Sequence, residues 1–333
     1  MSGDIERHAG LAPVIGGERL VIIDAAGGIH ARGGYRQVDI RKVLRYPVAK
    51  LEAPPHRLEV IDGAERRPGE EPLARPCAII FWPLLEPPPT GPSVAFFGDS
   101  MTFGQGVPDA QTLPQAFADA TAGYRLRVLN LAFTGYGPQQ FLRALETDMF
   151  RDLLTEPRLF VFPTAPWHAE RSACLSTFVL SAPRYVMVDG RPAYEDKCVD
   201  HWLVRLRYLL TRTAMYSVFF EPVIGGAGPA DMDLYVAILI RAGQLARERY
   251  GVPTLILYQP YDAYVRRAGL TDRQIMQRLR DGGLLVVDAG LDPNDFPGQT
   301  LKIPGDGHPT GVANRAWAVL VRDALVGLAA QAH

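Results

Sequence analysis

Two segments of this chain hold residue types that together could activate an alcohol. The first is Phe97-Gly98-Asp99-Ser100-Met101-Thr102-Phe103-Gly104, and the second is Gly305-Asp306-Gly307-His308-Pro309-Thr310. A serine hydroxyl is a weak nucleophile until a base takes its proton, and neutral imidazole suits that task near neutral pH. The imidazole needs an acceptor that fixes its tautomer and stabilises the imidazolium it becomes. Asp306 stands two residues before His308 in a loop that can fold back, with Asp292 and Asp295 as fallback orienters. Each segment also has a plainer reading. Gly98-Asp99-Ser100 can be a turn in which Ser100 caps a helix. His308 can be a solvated loop residue ahead of a helix capped by Thr310 or Asp306. A nucleotide-binding loop is disfavoured, because neither G-x-G-x-x-G nor a P-loop lysine is present.

The elements that must position these residues change in kind near residue 90. Before it lie short β-like runs, such as Leu20-Val21-Ile22-Ile23 and Arg57-Leu58-Glu59-Val60-Ile61. Turns such as Ala26-Gly27-Gly28 and Asp62-Gly63 separate them. The run Glu86-Pro87-Pro88-Pro89-Thr90-Gly91-Pro92 can continue neither a helix nor a central strand, so it reads as a linker. Residues 1–90 are expected to be a small β-rich accessory region, and 91–333 the domain that holds the chemistry.

In that second part strands and helices alternate. Short apolar runs at 93–97, 126–131, 158–162, 254–258 and 284–287 read as strands. Helices are expected near 111–122, 138–150 and 229–249, and from about Thr310 onward. Five short apolar strands separated by helices predict a parallel sheet covered on both faces, with ligands at the carboxyl ends of its strands. Ser100 then follows the first strand of this part and His308 the last, both at that edge. The stretch 168–228 does not resolve into the alternation and is expected to be an insertion.

The chain has 333 residues, 47% of them hydrophobic and 21% charged, with a formal net charge of -1. That balance gives no electrostatic grip on nucleic acid or an anionic membrane. No apolar run reaches membrane-spanning length. Met1–Gly10 carries Asp4, Glu6 and Arg7 without an apolar core, so no signal peptide is read. A cytoplasmic location is the expectation, or a periplasmic or secreted one if a leader was removed. The three cysteines, Cys77, Cys174 and Cys198, lack metal spacing. Cys174 and Cys198 either bridge in an oxidising compartment or stay as buried thiols in a reducing one. No metal and no cofactor are expected.

Gly98-Asp99-Ser100 early, Asp306-x-His308 late, and Val128-Leu129-Asn130-Leu131-Ala132-Phe133-Thr134-Gly135-Tyr136-Gly137 between them resemble the SGNH/GDSL serine hydrolases. The resemblance covers residues 93–330. It implies a flavodoxin-like three-layer α/β/α fold and ester hydrolysis through an acyl-enzyme on Ser100. It also implies His308 as base and Asp306 as its orienter, with the Ser100 and Gly135 N–H groups as oxyanion donors. The sequence departs from the family in three places. Met101 replaces a leucine, a volume-conserving swap. Asp306 is two residues from His308 where three are usual. The third block lacks its asparagine: the strand runs into Pro163-Thr164-Ala165-Pro166-Trp167-His168-Ala169-Glu170-Arg171. His168-x-x-Arg171 resembles a variant third block of some bacterial members. His168 is therefore expected to donate to the oxyanion with Arg171 bracing it from behind; the alternative is that both hold the insertion in place. A small-molecule or carbohydrate ester, such as an O-acetyl group, is the implied substrate. An O-acyltransferase on the same residues and a non-catalytic binding module are the rival readings. Trp167, Trp202, Tyr185 and Tyr194 could line a carbohydrate or acyl pocket but read first as ordinary core or surface aromatics, and Arg205, Arg207 and Arg212 read as solvated charges.

Overall fold

The computed structural model describes residues 91–220 and 226–331, together with three short strands nearer the amino terminus. Those strands, β1 (Val21–Ile23), β2 (Gly28–Ala31) and β3 (Val38–Asp39), form an antiparallel sheet in the order β1-β2-β3. The run at 57–61, the turns at 26–27 and 62–63, Cys77 and the prolines at 87–89 lie outside the described residues.

The domain that carries the candidate site is built on five parallel strands: β4 (Ser93–Phe96), β5 (Arg127–Asn130), β6 (Pro157–Thr164), β9 (Thr254–Tyr258) and β10 (Leu285–Asp288). Their order is β10-β9-β6-β4-β5, so the first strand of the domain lies inside the sheet and the connections wind outward on both sides of it. This is the expected flavodoxin-like sheet, with a switch point between β4 and β6.

The strand residues alternate between two apolar cores. Ala95, Leu129, Phe160, Phe162, Ile256 and Tyr258 face one. It is closed by α3 (Pro138–Glu146), α6 (Pro229–Tyr250), the short α7 (Asp262–Val265) and α8 (Asp272–Asp281). Val94, Phe96, Val128, Leu159, Val161, Leu255 and Leu257 face the other, beneath α2 (Leu113–Ala120) and α9 (Gly311–Gln331). A sheet buried on both faces explains why its strands read as continuous apolar runs. The helix expected near 111–122 is shorter than read, because Thr112 caps it by accepting from the Gln115 N–H and Pro114 occupies its first turn.

The stretch 168–228 holds a short helix, α4 (His168–Ser172), and a hairpin of β7 (Pro183–Val188) and β8 (Arg191–Lys197). Helix α5 (Trp202–Thr211) follows. Cys174 and Cys198 form a disulfide that ties the base of the hairpin to the end of α4. This realises the bridged alternative for that pair. Cys174, Val179, Ala182 and Cys198 make a small separate core, with Val204 of α5 packed on it.

Candidate active site

Ser100 stands on the turn that follows β4. It is the first residue of a four-residue helix, α1 (Ser100–Phe103), capped by Asp99, whose Oδ1 accepts from the Met101 N–H at 3.0 Å. The cap is therefore Asp99 and not Ser100, which leaves the serine hydroxyl free for another partner. Gly98 is required here. Its φ is +147°, and a Cβ at this position would fall 2.3 Å from Thr102 Oγ1.

His308 reaches the serine from the loop that precedes α9. Its Nε2 lies 2.9 Å from Ser100 Oγ, although 208 residues separate the two in sequence. Its Nδ1 lies 2.5 Å from Asp306 Oδ1. The two-residue spacing works because the segment folds back as a tight loop. The Ile303 N–H donates to the His308 carbonyl at 2.8 Å, and Lys302 pairs with Pro309 across the loop. The segment then enters α9 with the Asn314 side chain donating to the Gln111 carbonyl, which fixes the loop against the α1–α2 connection. Of the fallback orienters, Asp292 is engaged as a cap, accepting from the Asn294 N–H at 2.9 Å, and Asp295 is exposed.

Gly135 follows β5 in a left-handed conformation, φ +80°. The chain ahead of it is drawn to the Ser100 turn, since the Phe133 N–H donates to the Gly98 carbonyl at 3.1 Å. Among the described residues no acceptor engages the Ser100 or the Gly135 N–H. Backbone donors left free beside a nucleophile are what an oxyanion needs. A Cβ on Gly135 would sit 3.4 Å from the Phe178 ring, which stands at the edge of this site.

His168 is not where the sequence reading put it. Its ring is buried with both nitrogens engaged: Nε2 lies 3.0 Å from Asp99 Oδ2 and Nδ1 lies 2.9 Å from Thr164 Oγ1. An imidazole held at both ends has no N–H left for an oxyanion, so the expected third donor role is withdrawn. Thr164 Oγ1 is in turn 3.0 Å from the Tyr235 hydroxyl. The donor directions follow from the ends of this row. The Asp99 carboxylate can only accept, so Nε2–H donates to it and Nδ1 accepts from Thr164. That uses the one Thr164 hydrogen, so the Tyr235 hydroxyl, kept protonated by burial, donates to Thr164.

Arg171 completes the cluster behind the serine, as the sequence reading expected of a brace. Its Nη1 donates to Asp99 Oδ2 at 2.8 Å and to the Tyr136 carbonyl at 2.6 Å, joining the α1 turn to the loop of Gly135. Burial works to raise the Asp99 carboxyl. The hydrogen bond from His168, the charge of Arg171 and the Met101 N–H outweigh it and hold the group well below the usual carboxylate range. Burial lowers His168, and the guanidinium 3.0 Å from its Nε2 lowers it further. Both outweigh the attraction of Asp99, so the ring is neutral.

Thr164 and Tyr235 were missed by sequence reasoning. Thr164 ends a strand with no motif to mark it, and Tyr235 is 71 residues away on a helix face that reads as core. The aromatics noted in the sequence fall elsewhere. Tyr185 is buried and donates to Glu146, Tyr194 lies beneath Arg143, and Trp202 is exposed on α5. Trp167 packs on His168 and Tyr261. Among the described residues no His/Cys/Asp/Glu group could hold a metal ion.

A serine, a histidine and an aspartate thus stand in hydrogen-bonded sequence at the carboxyl edge of a parallel α/β/α sheet. No family model and no curated protein sequence matches the chain. Solved structures similar to it include a member of the lipolytic protein G-D-S-L family from Veillonella parvula, 14% identical, covering 70% of this chain and 97% of that one at a TM-score of 0.42. A catalytic mutant of Axe2, an acetylxylan esterase from Geobacillus stearothermophilus, is 13% identical over 72% of this chain and 96% of its own, at 0.39. The psychrotrophic esterase EstA from Pseudoalteromonas sp. is 12% identical over 71% and 97%, also at 0.39.

Proposed function

We propose that this chain is a serine ester hydrolase of the SGNH/GDSL type, acting on acyl or O-acetyl esters, including those on carbohydrates. One observation carries the reading: the unbroken row from Asp306 Oδ1 to His308 Nδ1 at 2.5 Å and from His308 Nε2 to Ser100 Oγ at 2.9 Å. In a turn and a solvated loop that merely cap helices, these three groups would have no reason to meet.

Ser100 Oγ attacks the ester carbonyl carbon as its proton passes to His308 Nε2, and the carbonyl oxygen becomes an oxyanion. The N–H groups of Ser100 and Gly135 stabilise that charge. Asp306 holds the Nδ1–H and stabilises the imidazolium. The imidazolium then gives its proton to the leaving alkoxide, the C–O bond breaks, and an acyl-Ser100 ester remains. Water repeats the sequence with His308 as base and releases the acid. An acyltransferase would differ only in the second acceptor, a sugar hydroxyl in place of water.

The test is hydrolysis of p-nitrophenyl acetate and of acetylated sugars by wild type, Ser100→Ala and His308→Ala. Wild type should give a burst of p-nitrophenol followed by steady acetate release, and both variants should lose turnover by at least about a thousandfold. Acetate transferred to an added sugar instead of released would favour the acyltransferase. Equal rates in wild type and Ser100→Ala would remove the serine from the reaction.

A further inference from the structure

Helix α5 is built the wrong way round for a helix that faces water. Trp202, Leu203, Leu206, Leu209 and Leu210 are 40–66% exposed. At about 100° per residue these five fall within an arc of about 120°, one continuous apolar stripe. The opposite face, with Val204, Tyr208 and Thr211, lies against Cys174–Leu180. The helix thus turns its polar-containing face to the protein and its apolar stripe outward. The stripe continues past the helix end in Met215, Val218 and Phe219, each at least 60% exposed.

Charge selects the occupant. From Trp202 to Phe220 the chain has three arginines and no acidic side chain. Arg205 falls just outside one edge of the stripe and Arg212 follows at its carboxyl end, both exposed, while Arg207 turns inward against Cys174–Leu180. Asp200, 3.8 Å from Arg205, is the one carboxylate paired with any of the three among the described residues. Apolar leucines with a tryptophan, rimmed by arginine, match a bilayer surface in which acyl chains lie beneath anionic headgroups. The disulfide Cys174–Cys198 anchors the face, so the stripe rides on a fixed platform. We propose that α5 and the segment through Phe219 form a peripheral membrane-docking surface selective for anionic lipid, lying in the interface and not crossing it. The chain's net charge of -1 does not oppose this, because only the local charge within a screening length of the surface acts.

The experiment is cosedimentation of the full-length protein with vesicles of phosphatidylcholine alone, or of phosphatidylcholine with phosphatidylglycerol. Wild type should sediment with the anionic vesicles, more weakly with the neutral ones, and less at high salt. Arg205→Gln and Arg212→Gln should each weaken partitioning about fivefold. Leu206→Glu/Leu209→Glu should weaken it at least about tenfold while leaving the circular dichroism and thermal midpoint unchanged. Leu209→Gln serves where the double variant loses its fold. A wild-type protein that stays in the supernatant with both vesicles overturns the proposal, as does equal sedimentation by the leucine variants. A dimer that these substitutions dissociate, without vesicle binding, would assign the face to a second copy of the chain.

Discussion

His168 turns its Nε2 to Asp99 Oδ2 at 3.0 Å, which places its N–H on the residue before the nucleophile and not on the reacting centre. The histidine, with Thr164, Tyr235 and Arg171, therefore acts by holding the Ser100 turn. His168→Ala would leave a buried carboxylate short of a donor, and the loss should cost about 2–3 kcal/mol of stability in a denaturant melt. The pH dependence is distinctive. Because the folded-state value of His168 lies below its ordinary 6.5, the unfolded chain takes up a proton that the folded one refuses. Stability is full above 6.5 and falls as pH drops toward the folded value. His168→Asn should lack this part of the slope. A variant with the wild-type profile would show that folding does not shift the titration of the ring.

How far the sequence carried the reading depends on how local each cause is. The five strands were legible because a sheet covered on both faces needs unbroken apolar runs, as in Thr254–Tyr258. Ser100 was legible in a glycine-flanked turn directly after β4, and Asp306 and His308 in a glycine-flanked loop directly before α9. The β7–β8 hairpin was not read, although Asp189-Gly190, both at positive φ, is a hairpin turn signal in plain view. His168 was misplaced for a different reason. Position after β6 fixes the edge on which a side chain stands but not its rotamer, and the buried charge of Asp99 recruits the ring.

Gly98→Ala should be severe. The new methyl would meet Thr102 Oγ1 and the backbone would sit at a φ that alanine avoids, for about 2–4 kcal/mol in a melting experiment. Adding Thr102→Ala should recover the clash part and leave the backbone part. Full recovery would mean that the φ at Gly98 carries no strain.

Asp306→Asn should keep the fold and lower kcat by about three to four orders of magnitude, because the amide cannot hold the His308 tautomer in the same way. Steady-state kinetics on p-nitrophenyl acetate measures this. Near-normal turnover would move the orienting role to another acceptor.

Reduction of Cys174–Cys198, or Cys198→Ser, releases a link across 24 residues. Chain entropy makes that link worth about 3 kcal/mol against unfolding. Guanidinium melts with and without dithiothreitol should show a difference of this order in wild type and none in Cys198→Ser.

The central claim is that Ser100 is a nucleophile activated by His308, and covalent capture tests it most directly. Wild-type protein treated with a fluorophosphonate should gain one phosphonyl group, and peptide mass spectrometry should place it on Ser100. Ser100→Ala should gain none, and His308→Ala should react far more slowly. A wild-type protein that stays unmodified, or a Ser100→Ala protein labelled to the same extent, would contradict the account.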